Sequence, residues 1–187
     1  NLTLYFSSTG RRGLGGGSTI ILRCQNVTDS ELVGVLVHEL GHIKDTGVLK
    51  GDFWAGESEF KDGEKAIFQN DLSLDFYRIS FANEKALKKG AVEKDFVSGY
   101  AMSDPFEDFA ETYNFYILHG EQFRKMAEDN PNLQAKYDYM RDIVFEGREY
   151  GNYERISYDG DLSKELLKKR NYDSTILEYN LKEFLAI

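Results

Sequence analysis

The chain has one Cys, two Pro, one Trp and only three His in 187 residues. A single Cys cannot close an internal disulfide, which excludes a stapled scaffold and a Cys-built zinc finger. No apolar run approaches the roughly 18 residues needed to cross a bilayer, so no membrane span is expected. Positive charge is also short: 23 Lys and Arg stand against 32 Asp and Glu, a formal net charge of −9. Nucleic acid and anionic lipid both need a basic face, and neither is expected as a partner. What is plentiful is apolar mass, with 50 positions filled by Leu, Ile, Val or Phe, enough for a sizeable core. The length fits one domain. The chain starts at Asn1 with neither an initiator Met nor a charged-then-apolar leader, as expected of a processed product or an excised piece.

The first 23 residues read as β, from the alternation of Leu2, Leu4 and Phe6 and the β-branched run Ser18 to Arg23. Between them, Gly10 to Gly17 lacks both the Lys-Ser/Thr of a P-loop and the dinucleotide fingerprint, so nucleotide binding is not expected. It reads either as a flexible hairpin connection or as a loop and edge strand beside a groove, where bare backbone can pair with an extended peptide. Thr28-Asp-Ser-Glu31 has capping-box form and opens a helix with Leu32, Val35, Leu36, Leu40 and Ile43 on its apolar face, stopping near Gly47. Residues 48–63 read as a polar loop and 64–89 as helical, with Asn83 a candidate break. Asp104-Pro-Phe-Glu107 predicts a helix start, with Asp at the cap and Pro at the first position, running to about Leu118. Two further helices are expected over 121–129 and 132–146, another over 161–170, and residues 173–185 are ambiguous.

The decisive pattern is His38-Glu39-Leu40-Gly41-His42, set on the first of these helices. Residues four apart on a helix are about 5–6 Å from each other at Cβ. Two imidazoles so placed can converge on one ion at about 2.0–2.1 Å. Glu39 is rotated about 100° from His38, so it can reach a metal-activated water without displacing a ligand. Such a zinc site also needs a third protein ligand and an open position. The extended motif that supplies a Gly and a third His is not met, because those positions hold Asp45 and Val48. His119 sits at the end of the helix begun at Asp104, where a cation complements the helix dipole, and reads as structural. Asp45, near the end of the His helix, reads as an outer partner or a solvated group. Glu107 and Glu111, spaced i, i+4 among Phe106, Phe109, Ala110 and Tyr113, are costly to bury unless paired or metal-bound. Ligation by Glu107 is favoured over a pure capping role.

Tyr100-Ala-Met-Ser-Asp-Pro-Phe-Glu107-Asp-Phe-Ala-Glu111, taken with His38 to His42, resembles the gluzincin metallopeptidases. The likeness is nearest to the group containing anthrax lethal factor and the clostridial Pro-Pro endopeptidases. It implies His38, His42 and Glu107 as metal ligands, Glu39 as general base, and Tyr100 as a helper that polarises the scissile carbonyl. It also implies Glu111 as a carboxylate behind one of the His ligands.

The resulting expectation is an α+β, predominantly helical, zincin-like metallopeptidase fold with a small N-terminal sheet, an active-site helix and a helical C-terminal lobe. Residues 1–187 form one catalytic domain, with lobes at about 1–99 and 100–187. The activity expected is zinc-dependent endopeptidase, with one Zn2+ per chain, a peptide or protein substrate, a monomeric state and, by analogy with the family, secretion. Two alternatives stay open. One is a zinc-containing domain of this fold that binds a peptide or protein without cleaving it. The other is a helical interaction domain in which the motif is accidental.

Overall fold

The computed structural model of the protein describes residues 2–150 and 171–186. Strand β1 (Thr3–Ser7) runs parallel to β3 (Thr19–Arg23), and β2 (Gly13–Gly16) pairs antiparallel on the other side of β3, giving the order β1-β3-β2. The Gly-rich segment is thus an edge strand with a tight return to β3, not a loose connection. Ile20 and Leu22 point from β3 into a small core with Val35 of helix α1 (Asp29–Ile43). Thr28 caps α1 by accepting a hydrogen bond from the Glu31 amide at 3.1 Å. The helix continues as one π-helical turn over Lys44–Val48, so the stop expected near Gly47 falls at its end.

The stretch 48–89 departs most from expectation. A 3-10 turn at Phe53–Ala55 leads into β4 (Glu57–Asp62) and β5 (Lys65–Phe68), joined at Gly63, whose φ of +59° lets the chain double back. Ile67 and Phe68, which share helical spacing with Leu72, therefore lie on a strand. Helix α2 (Ser73–Ser80) starts only where Asp71 accepts from the Ser73 amide, and it ends in a small hairpin of β6 (Phe81–Asn83) and β7 (Ala86–Leu87). The break foreseen at Asn83 comes a few residues earlier, at Phe81.

Helix α3 (Pro105–Leu118) matches its start signal, with Asp104 accepting from the amides of Phe106 and Glu107 at 3.0 and 2.9 Å. Helices α4 (Gly120–Glu128) and α5 (Pro131–Tyr139) follow, with Pro131 at the first position of α5 and a π-helical turn extending it through Val144. The segment 173–185 resolves into a 3-10 turn at Ser174–Ile176 and a short helix, α6 (Leu181–Phe184). The helix expected over 161–170 lies outside the described residues.

The architecture is α+β and predominantly helical. An aromatic core ties α2 to α5 together, with Phe60, Phe76, Phe81, Phe96, Phe109 and Phe115 almost fully buried. Helices α1 and α3 cross at Gly41: a Cβ there would lie 2.8 Å from the Ala110 Cα, so only glycine allows this approach. That crossing sets the motif helix against Glu107 and Glu111. Among the described residues, no helix is long and apolar enough to cross a membrane.

Candidate metal centre

Helix α1 presents His38 and His42 on the side that faces α3, their rings 4.9 Å apart and nearly perpendicular. From α3, Oε2 of Glu107 comes to 3.2 Å from Nε2 of His38 and 3.4 Å from Nε2 of His42. Four ligands around one zinc ion at about 2.0–2.1 Å would stand about 3.3 Å from each other, so both of these separations suit a shared ion. The Oε2 atom is buried and accepts no hydrogen bond from the described residues. A cation between it and the imidazoles would satisfy a buried carboxylate oxygen left in that condition. His38, His42 and Glu107 form a group that could hold a metal. The donor set of two imidazoles and one carboxylate suits zinc.

The electrostatics agree with a cation site. Burial alone would depress the His38 pKa, but the carboxylates of Glu107 and Glu111 outweigh it and push it up to about 10. Burial would raise Glu107, yet the two imidazoles hold it well below the usual carboxylate range. The same field that favours a proton on His38 favours a metal cation among the three atoms.

Nδ1 of His38 lies 2.8 Å from Oε1 of Glu111, which has no solvent exposure. Oε2 of Glu111 accepts from the Ser98 hydroxyl at 2.5 Å and from the Ser174 amide at 2.6 Å. A carboxylate on Nδ1 leaves Nε2 free as the ligand atom. Tyr100, in the 3-10 turn ahead of α3, donates its hydroxyl to Oε1 of Glu107 at 2.9 Å. Burial and the nearby Glu107 charge raise its phenol above the ordinary value, so it remains a proton donor at neutral pH.

Glu39 occupies the other side of the group, under strand β2. A Cβ on Gly15 would fall 2.7 Å from Oε2 and 2.8 Å from the main-chain oxygen of Glu39, and one on Gly13 would fall 2.6 Å from Val35 Cγ1. The bare backbone of β2 therefore rests on the carboxylate. Burial raises the Glu39 pKa, partly offset by the two His. These residues line an open cleft of about 1170 Å³, together with Lys65, Phe68 and Tyr172.

The remaining sequence candidates lie elsewhere. His119 is buried between Phe115 and Tyr179 at the end of α3, away from the group. Asp45 is buried and accepts from the Tyr77 hydroxyl at 2.6 Å, so it is not solvated. Sequence reasoning missed Ser98, Ser174 and the pair Arg12–Asp173, none of which belongs to a local motif.

Asp45 also sets a pH effect on stability. Burial pushes its pKa up to about 7 from an ordinary 3.8, so the folded state holds the proton more tightly than the unfolded chain. Its contribution is then fully present below about pH 4 and is lost as pH rises towards 7. Asp45→Asn is expected to raise the melting temperature at pH 8 by several degrees and to leave it nearly unchanged at pH 4. Calorimetry at the two pH values checks this.

A protein-family model described as "Putative zinc-binding metallo-peptidase" matches residues 27–155, well over half of the chain. The chain belongs to that family. The matched span carries His38, Glu39, His42 and Glu107, and it leaves out both the three-stranded sheet and the segment from Tyr172 to Leu185. No curated protein and no solved structure matches.

Proposed function

We propose that this zinc-binding metallopeptidase is an active endopeptidase of the gluzincin kind, holding one zinc ion per chain on His38, His42 and Glu107. The observation that carries the reading is the convergence of three ligand atoms within 4.8 Å of one another on the wall of an open cleft, with Glu39 beside them. Bound there, zinc would supply the Lewis acidity that activates water and polarises the scissile carbonyl. Glu39 takes the proton from the attacking water and delivers it to the leaving amine, and its raised pKa brings it nearer the working pH for both transfers. Tyr100 donates its hydroxyl to the carbonyl oxygen as negative charge builds there. An extended substrate pairs with the free edge of β2, whose glycines let peptide backbone come close to Glu39.

The test is cleavage of a peptide library, read by mass spectrometry, before and after chelation and zinc return. Cleavage lost with the metal and restored by zinc is expected. A blank screen at one zinc per chain would instead support a domain that binds peptides without cleaving them.

The same reading sets two neighbouring glycines apart. Gly15→Ala drives a methyl group into Glu39 and is expected to lower turnover about 10²-fold, as a displacement of about 1 Å in a reacting group does. A Cβ on Gly16 meets nothing within 4 Å, so Gly16→Ala is expected to keep full turnover. Equal rates for the two variants would remove β2 from the site.

A further inference from the structure

The segment Asn171–Leu177 lies beyond the family match, yet it is bound to the metal group from three directions. Its start packs on the turn before α3: the Tyr100 amide donates to the Tyr172 carbonyl at 2.8 Å, and a Cβ on Gly99 would lie 2.6 Å from the Asn171 carbonyl oxygen. Its middle is fastened to the chain's other end. Arg12, just before β2, forms an ion pair with Asp173, donates to the Thr175 hydroxyl at 3.0 Å, and lies over the Tyr172 ring at 5.5 Å. On α3, Asn114 donates to the Ser174 hydroxyl at 2.8 Å.

What this fastening delivers is one main-chain amide. Ser174 N–H reaches Oε2 of Glu111, and with the Ser98 hydroxyl it fills that oxygen, leaving Oε1 to His38 Nδ1. A fully buried carboxylate without its donors is strongly destabilised, and it relieves that cost by turning away. That movement would free the His38 ring to rotate. We propose that the Ser174 amide, held in place by the Arg12–Asp173 pair, is a positioning group of the metal centre: it fixes Glu111, and through it the ligand His38. The C-terminal segment is then part of the site, and Arg12 links it to the strand that rests on Glu39. The inference depends on the metal site proposed above.

Ser174 is the first residue of a 3-10 turn, and Asp173 before it is extended, with φ −145° and ψ 165°. Both conditions suit the proline backbone, so Ser174→Pro removes the N–H and puts its ring Cδ where that N–H met Glu111 Oε2, displacing the carboxylate. Ser174→Ala removes only the hydroxyl and serves as its control. Zinc affinity is measured by chelator competition, alongside the melting temperature of the metal-free protein. The expected result is a 10–100-fold loss of zinc affinity for Ser174→Pro, the range found for groups behind a metal ligand. Ser174→Ala should stay within a few-fold of the unaltered protein in zinc affinity and melt nearly unchanged without metal, while Ser174→Pro, having taken a donor from buried Glu111, should melt lower yet still fold. Unchanged zinc affinity in a folded Ser174→Pro overturns the proposal and leaves the metal site standing. If that variant does not fold, Arg12→Leu decides: several-fold weaker zinc binding supports the proposal, and unchanged binding overturns it. Failure of the unaltered protein to take up zinc overturns both readings.

Discussion

Glu39→Gln is expected to keep the fold and the zinc and to lose peptide hydrolysis, by at least the about 10²–10⁴-fold that a general base contributes. The side chain keeps its shape, so it still fits beneath Gly13 and Gly15. It loses the negative charge and with it the capacity to take a proton from water. Stability should hold or rise, because burial already disfavours the ionised form of Glu39 and a neutral isostere removes that cost. Glu39 is not among the three converging ligand atoms, so metal content should stay at the level of the unaltered protein. Three measurements on one preparation check this: zinc per chain, melting temperature, and cleavage of the best library peptide. Full activity in a zinc-loaded Glu39→Gln would sink the assigned base. Loss of zinc together with activity would instead place Glu39 among the ligands.

Which parts of this site are legible in the sequence follows from how far apart its members lie along the chain. His38, Glu39 and His42 sit within one helical turn, and the capping residue and apolar spacing of α1 are local too. The start of α3 is equally local, since Asp104, Pro105 and Glu107 signal it within four positions. The glycines of β2 carried a readable signal of a weaker kind: Gly13 and Gly15 alternate, as residues on one face of a strand do. What they face, Glu39, is not inferable from that alternation. The Ser174 amide meets Glu111 across 63 positions, and Arg12 meets Asp173 across 161. Contacts of that span leave no periodicity in a single sequence. The helix read into 64–89 fails for a related reason. Ile67, Phe68, Leu72 and Phe76 satisfy a helical period, but the turn at Asp71, which accepts from the Ser73 amide, divides them between a strand and a shorter helix. Apolar spacing alone does not separate these outcomes when turn residues fall inside the window.

A larger effect on stability than any of these is expected from Lys136→Ala, about 3–5 kcal/mol, the range for removing one partner of a buried ion pair. Lys136 has no solvent exposure; its Nζ lies 2.6 Å from Asp108 Oδ2, donates to the Asp95 carbonyl at 3.0 Å, and sits 4.0 Å above the Phe96 ring. Burial lowers the lysine pKa and pushes Asp108 up to about 6, against the attraction each exerts on the other. Two charges in an apolar core are thus held by each other. Truncating the lysine removes the attraction that offsets burial, so Asp108 must stay charged without a partner or take up a proton, and it leaves a cavity beside Phe76 and Phe96. At roughly 2–4 °C per kcal/mol for a chain of this size, melting should fall by about 6–20 °C. The ion pair as a whole is worth far less than that loss. Replacing both partners in Lys136→Met with Asp108→Asn removes the charge on each side and should recover most of the stability. Asp108 is the neighbour of Glu107 on α3, so the double variant also asks whether the pair serves the metal group. If zinc affinity returns with the melting temperature, the pair acts through the fold. If melting recovers and zinc binding stays weak, the charge on Asp108 contributes to the field that holds the metal.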